Sequence, residues 1–282
     1  MFAILALSVA LAADPLATCE SHLLSYAGWR ETPDTVWTLD VPDAAGGGRL
    51  SYFGARHSRD ATDPQFAEIE AAFRAAAPTV VFYEGPDRGV GADGPDSIMT
   101  RGESGYVRWL AGQAGARVAP LEPSPLDQFR ALSERFPADQ VELFFVLREA
   151  VRLRDREHLE AEALEGAVAT LLSRLAGMTA GAGVELPFSD LDGLEAAFNR
   201  YWSDGSDWRA ASSAWFDPLA EDGETGGRFM AAINVASSEV RNVHMYRVLA
   251  RAAGSGEAVF AVVGRNHVPM QAEALRCALG AG

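Results

Sequence analysis

Short apolar runs that alternate with helical segments are the feature that most constrains the fold of this chain. Near-continuous apolar runs occur at 79–85 (TVVFYEG), 116–123 (ARVAPLEP) and 259–263 (VFAVV). Such runs are typical of parallel strands that are buried on both faces. Segments with helical spacing separate or follow them, at 64–76, 105–114, 228–253 and 268–279. The alternation predicts an α/β fold with a central, mostly parallel sheet flanked by helices.

A hairpin is expected ahead of the parallel strands. Residues 35–41 (TVWTLDV) and 49–53 (RLSYF) have strand composition, and the glycine-rich stretch AAGGG lies between them. Glycines in a short connection of this kind favour a tight antiparallel turn. One antiparallel pair is therefore predicted in the sheet.

The middle of the chain has a different pattern. Amphipathic, charge-rich helices are predicted at 125–136, 138–157, 159–177 and 190–202, and no strand signal separates them. We expect residues 14–282 to form a single α/β domain that carries a large all-helical insertion, a cap, at about 124–225. The aromatic residues of this region either line a cleft or form its core.

The N-terminus resembles a secretory signal. Residues 1–13 are mostly apolar and contain Ala10-Leu11-Ala12, a small-residue site of the kind that signal peptidases cut. A signal peptide predicts a periplasmic or secreted protein; the alternative is a buried N-terminal element of a cytoplasmic protein. The stretch is too short for a stable membrane span.

Cys19 and Cys277 are the two cysteines of the chain. In an exported protein we expect them to form a disulfide, whereas a cytosolic location would leave two unpaired buried thiols. Neither cysteine belongs to a C-x-x-C motif, so a zinc ribbon or a redox motif is excluded.

Composition and missing motifs exclude several functions. The net charge of −15 leaves no basic surface for nucleic acid. All 24 basic residues are arginine, so no lysine is present to form a Schiff base. The chain also has no G-x-S-x-G nucleophile elbow, H-E-x-x-H helix or P-loop. GVGADG, at 89–94, has the spacing of a dinucleotide-binding glycine motif, but acids and prolines accompany it, unlike an anion-binding turn into a helix.

Four predicted strands end in polar residues of the kind that bind metals or activate water. His57 and His267 each close a Gly-x-x-His motif, in GARH and GRNH, while Glu84 and Glu122 end the strands between them. Ligands of open α/β sheets bind beyond the carboxyl ends of the strands. Two imidazoles with carboxylates suit Zn²⁺, Mn²⁺, Co²⁺ or Fe²⁺, and a carboxylate outside the metal shell could activate water.

Each of these residues also has an ordinary structural explanation. A histidine after a strand often caps a turn, and a glutamate before proline often takes an arginine. Glu103 is a possible further acid, although it suits the first turn of a helix equally well. Arg241, on the long helix near the C-terminus, either binds an oxyanion at the sheet edge or forms a surface ion pair. Arg56, beside His57, favours an anionic group on the ligand.

These motifs resemble the TraB/PrgY–Tiki superfamily, which groups with erythromycin esterase-like and ChaN-like haem-binding proteins. The resemblance rests on GARH, GRNH, the glutamate in FYEGP and the Arg-Asn pair at 241–242, and it covers about residues 49–123 and 226–280. It implies an α/β fold with a helical insertion and, as in Tiki-like members, a metal-dependent hydrolase or protease. By motif match, His57 and His267 would be metal ligands or a general base, Glu84 an acid partner and Arg241 a site residue.

Two functions follow as hypotheses. The first is an exported, metal-dependent hydrolase that cleaves an amide or ester of a peptide or small molecule through water activated at Glu84, Glu122, His57 and His267. The second is a non-catalytic protein that binds haem, a peptide or a small anionic ligand in the same cleft.

Overall fold

The computed structural model describes residues 15–30, 36–220 and 224–281. The chain divides into two compact units. The sheet unit comprises Met1–Leu24, Thr32–Glu122 and Asn242–Gly282, and the helical unit comprises Ser25–Glu31 and Pro123–Arg241. The signal peptide predicted at 1–13 lies outside the described residues.

The strands and helices follow the predicted α/β alternation. The strands are β1 (Thr38–Val41), β2 (Arg49–Ala55), β3 (Val80–Tyr83), β4 (Arg117–Pro120) and β5 (Ala258–Gly264). The helices are α1 (Pro15–Cys19), α2 (Tyr26–Arg30), α3 (Gln65–Ala76), α4 (Gly94–Ala114), α5 (Pro125–Ser133), α6 (Ala138–Glu157), α7 (Ala161–Ala180), α8 (Leu191–Tyr201), α9 (Met230–Gly254) and α10 (His267–Leu279). Among the described residues, no helix combines the length and the apolar character needed to cross a membrane.

The five strands form one mixed sheet in the order β1-β2-β5-β3-β4. β1 pairs antiparallel with β2, which confirms the predicted hairpin, and β2, β5, β3 and β4 are parallel. The predicted fold class is therefore confirmed. β5 lies between β2 and β3 and is buried along nearly its whole length, which explains its continuous apolar sequence.

Each face of the sheet packs against two helices. Alternate residues of β5 point to opposite faces. Val259, Ala261 and Val263 pack with α9 and α10, whereas Phe260 and Val262 pack with α3 and α4. The sheet is therefore the middle layer of the sheet unit, and its strand ends are the places where polar groups can gather.

The helix before β4 starts earlier than expected. The sequence predicts a loop at 86–99 and a helix from 105, but α4 begins at Gly94. The Asp93 carboxylate accepts a hydrogen bond from the Asp96 N–H, and Pro95 occupies the first turn, which together start the helix. α4 is kinked at Gly102, where φ is +63°. Such a backbone conformation favours glycine.

The helical unit has an aromatic core. The rings of Phe198, Trp202 and Trp215 stack, with centroids 4.7 Å apart for the first pair and 5.0 Å apart for Trp202 and Trp215. Trp208 is buried as well. The aromatic residues of the insertion thus form its core, as the simpler of the two interpretations predicted.

A buried carboxyl group lies inside this helical unit. Glu142, on α6, is 2% exposed. One of its oxygens accepts a hydrogen bond of 3.1 Å from the Phe188 N–H, while the other has no hydrogen-bond partner among the residues that the structure describes. Burial raises the pKa of Glu142 to about 8, and the negative charge of Asp139 acts in the same direction.

A disulfide joins the two ends of the sheet unit. Cys19, at the end of α1, is bonded to Cys277 on α10, 258 positions further along the chain. Closing so long a loop removes much conformational freedom from the unfolded chain. The pairing predicted for an exported protein is therefore present.

We predict that removing this disulfide destabilises the protein. A Cys19→Ala/Cys277→Ala variant should lose about 2–5 kcal/mol of unfolding free energy, because its unfolded state is no longer constrained. Urea unfolding followed by circular dichroism measures the change, and dithiothreitol should lower the wild-type midpoint in the same direction. The double variant with dithiothreitol is the control, and equal midpoints for both proteins would contradict the prediction.

We predict that Glu142 makes stability fall as the pH rises. The folded state keeps the Glu142 proton up to about pH 8, whereas the unfolded chain releases it near the ordinary value of 4.5. As far as Glu142 is concerned, the free energy of unfolding is therefore highest below about pH 4.5 and falls as the pH rises towards 8. In urea unfolding, the free energy of unfolding of Glu142→Gln should rise by about 2–4 kcal/mol relative to wild type between pH 5 and pH 8. Glu134→Gln, an exposed change in the same unit, should gain nothing, and identical pH slopes for all three proteins would refute the idea.

Candidate active site

The parallel strands bring three of the predicted residues to one edge of the sheet. His57 follows β2, Glu84 follows β3, and His267 follows β5, which lies between them. In the strand pairing, Ala55 is opposite Gly264 on β5. We call this edge, at the carboxyl ends of the strands, the rim.

Gly264 allows two of these side chains to approach the end of β5. A Cβ atom at this position would lie 3.0 Å from Oε2 of Glu84 and 3.4 Å from Nε2 of His57. The Gly264 N–H also donates a hydrogen bond to Oε2 of Glu84. A side chain at 264 would press on both groups, so the glycine is explained by their close approach.

Glu103 fixes the ring of His57. Its Oε1 lies 2.5 Å from Nδ1 of His57, and its Oε2 lies 3.5 Å from the backbone nitrogen of Ser58. The kink at Gly102 precedes Glu103 in α4, and a Cβ at Gly102 would lie 3.0 Å from the Ser58 carbonyl oxygen. This carboxylate thus holds the proton on Nδ1, and Nε2 is the nitrogen that lies near Gly264.

Asn242 fixes the ring of His267. His267 is the first residue of α10 and is 5% exposed, and its Nδ1 lies 2.8 Å from Oδ1 of Asn242 on α9. The same Oδ1 accepts a hydrogen bond of 2.8 Å from Nε2 of Gln271, one turn further along α10. The network assigns Oδ1 as the acceptor and therefore assigns the proton to Nδ1 of His267.

The second nitrogen of His267 faces a carboxylate. Its Nε2 lies 3.6 Å from Oε1 of Glu84, in a partly buried setting. With the proton on Nδ1, a neutral His267 presents a lone pair to an atom that also carries lone pairs. A metal ion between them would make this arrangement favourable.

The donors at the rim suit a divalent transition metal. Two ligands of one tetrahedral ion lie about 3.4 Å apart, close to the distance between His267 Nε2 and Glu84 Oε1. Both histidines have a partner on Nδ1, as metal-bound histidines usually do. Within 15–30, 36–220 and 224–281, however, no three His, Cys, Asp or Glu side chains form a group that could hold a metal. The donor types and the spacing of one pair fit an ion, and a third ligand is not in place.

The segment after Glu84 is anchored to α4. Arg108 donates hydrogen bonds to the carbonyl of Gly89 and to the carboxylate of Asp87, and Arg101 donates one of 2.9 Å to the carbonyl of Arg88. The hydrogen bond from the Gly89 N–H lowers the pKa of Asp87. This segment is thus tied to the helix that carries Glu103.

Two further residues were predicted for this site. Glu122 follows β4, which pairs with β3, the strand that precedes Glu84. Arg241 is the last residue of the helical unit. The roles predicted for them stay predictions.

The partners of His267 were not predicted from the sequence. A role was expected for Arg241, whereas the neighbouring Asn242 contacts the imidazole. Gln271 also went unnoticed, although it lies four residues after His267 and therefore on the same helix face. Glu103 was considered as a further acid, and its contact with His57 now gives it a specific partner.

Comparisons of the chain with protein-family models, with curated proteins and with solved structures found no match.

Proposed function

We propose that this protein is a hydrolase that cleaves an amide or ester bond with water activated at the rim, and that it depends on a divalent metal. One observation carries the proposal. Two imidazoles are each held at Nδ1 by a helix residue, and the other nitrogen of each lies at the rim near Glu84. Orientation of this kind is what general bases and metal ligands need.

His57 and Glu103 carry out the proton transfer in this proposal. Nε2 of His57 takes a proton from the attacking water, and the Glu103 carboxylate stabilises the imidazolium through Nδ1. The water oxygen bonds to the substrate carbonyl carbon. The bond to the leaving nitrogen or oxygen then breaks, and His57 returns the proton to that atom. Of the two roles that the family resemblance implies for His57, we therefore propose general base.

His267 and Glu84 form the part that would hold the metal. Asn242 keeps the proton of His267 on Nδ1, and the Gly264 N–H orients the Glu84 carboxylate. A neutral imidazole with a carboxylate suits Mn²⁺, Co²⁺, Zn²⁺ or Fe²⁺. When bound there, such an ion would polarise the substrate carbonyl and favour ionisation of water.

We also propose that the protein is exported and belongs with the TraB/PrgY–Tiki-like hydrolases. The disulfide supports export, because such bonds persist in the periplasm and outside the cell. The two Gly-x-x-His motifs lie at adjacent parallel strands with Glu84 at the next one, which supports the family proposal.

We predict that single substitutions separate the two parts of the site. Metal content by mass spectrometry should be near stoichiometric in wild type and lost in His267→Gln and Glu84→Gln. His57→Ala should keep the metal while its hydrolysis of 4-nitrophenyl esters or peptide 4-nitroanilides falls at least about 100-fold. The matched control is His22→Ala, a change at an exposed histidine that does not belong to the rim.

Other results would contradict the proposal in distinct ways. Metal lost in His57→Ala would make His57 a ligand, as a three-residue site requires. If wild type contained no metal even after incubation with divalent ions, the proposed metal dependence would be wrong. Absence of turnover together with a haem absorption band would favour the ligand-binding alternative.

We predict that Asn242 positions His267 through the hydrogen bond that its Oδ1 accepts. Asn242→Asp keeps an oxygen for Nδ1, whereas Asn242→Leu removes it and frees the ring. Loss of such a partner costs about 10- to 100-fold in metal affinity or activity. Metal affinity should therefore fall by this factor in Asn242→Leu and be largely retained in Asn242→Asp. Equal affinity in all three folded proteins would exclude the role.

A further inference from the structure

Arg265 extends from the end of β5 across the end of β2. Its backbone N–H donates a hydrogen bond of 2.9 Å to the carbonyl of Ala55, the last residue of β2. Its guanidinium carbon lies 4.8 Å from the ring centroid of Trp37. Arg265 is two residues from His267, and Ala55 is two residues from His57. The arginine is therefore joined to both strands that carry the histidines.

Trp37 lies at the same rim. β1 is antiparallel to β2, so its beginning, just after Trp37, lies beside the carboxyl end of β2. The Gly54 N–H donates a hydrogen bond of 2.8 Å to the Trp37 carbonyl, which fixes the tryptophan there. Arg265 and Trp37 thus form a platform on the β1 side of His57.

Among the described residues, no carboxylate forms an ion pair with Arg265. Arg56, the other arginine beside a motif histidine, lies 3.1 Å from Asp63. Arg265 is exposed and, in the part of the chain that the structure describes, forms no ion pair. This contrast is notable in a chain with 39 acidic residues and 24 arginines. Stacking on an aromatic ring orients a guanidinium and leaves the N–H groups at its edge available to an anion.

We propose that Arg265, stacked on Trp37, is a subsite for a carboxylate group of the substrate. This proposal rests on the proposed hydrolase function, because the bound carboxylate would belong to the substrate of that reaction. A planar guanidinium matches a carboxylate with two parallel hydrogen bonds. The substrate is therefore an ester or amide that carries a second, free carboxylate beside the bond that is cleaved. Arg265, and not Arg56, selects it.

The test compares two esters that differ in one carboxylate. 4-Nitrophenyl acetate is neutral, and mono-4-nitrophenyl succinate carries a free carboxylate on its acyl group. Wild type should prefer the succinate ester in kcat/KM, and Arg265→Gln should reduce this preference about 10- to 100-fold, chiefly through KM. Arg56→Gln is the matched control and should keep the wild-type preference. An unchanged preference in Arg265→Gln, or its loss in Arg56→Gln, overturns the subsite.

A binding measurement separates the subsite from the hydrolase. Titration calorimetry with succinate should show binding to wild type and to Arg56→Gln, and at least tenfold weaker binding to Arg265→Gln. If succinate binds through Arg265 but neither ester is cleaved, the hydrolase fails and the carboxylate site stands. If the esters are cleaved but succinate binds wild type and Arg265→Gln equally, or inorganic phosphate binds in its place, the carboxylate subsite fails.

Discussion

The pairing of β5 with both β2 and β3 is the constraint on which the rim depends. His57, Glu84 and His267 are far apart in sequence and meet because three parallel strands end side by side. A slip of one residue in either pairing would turn the side chains of that strand to the opposite face. The alternate burial of β5 residues in two separate cores opposes such a slip. The apolar core thus sets the positions of the polar residues.

The two histidines are held by partners of different charge, and the difference is chemically useful. In the proposed mechanism, the Glu103 carboxylate at Nδ1 stabilises the imidazolium that forms when Nε2 of His57 receives a proton. The neutral amide of Asn242 fixes the tautomer of His267 without adding charge, which suits a lone-pair donor. Because α4 and α9 pack on opposite faces of the sheet, each histidine is oriented from its own side.

Much of this arrangement could be predicted from the sequence, because apolar runs and the residues that follow them are local signals. The strands, their mostly parallel arrangement and the polar residues at three of their ends were visible in this way, whereas the order of the strands in the sheet was not. Asn242 and Gln271 were not, since their role depends on how two helices face each other. The start of α4 was missed because the capping of Asp93 outweighed the loop-like composition around it. Arg56 was noted because adjacency to a histidine is visible in the sequence, whereas its pairing with Asp63 and the contact of Arg265 with Trp37 are visible only in the structure.

The electrostatics of the rim differ from those of the whole chain. A net charge of −15 repels an anionic substrate at long range. At physiological ionic strength, however, exposed charges are largely screened beyond about 8 Å. The groups within that distance then decide what binds. Glu103 is engaged with His57 and Glu84 with Gly264 and His267, while Arg265 keeps its charge on an aromatic support. An acidic protein can in this way accept a carboxylate at the rim, because the local balance of charge there, and not the sum over the chain, acts on the bound ligand.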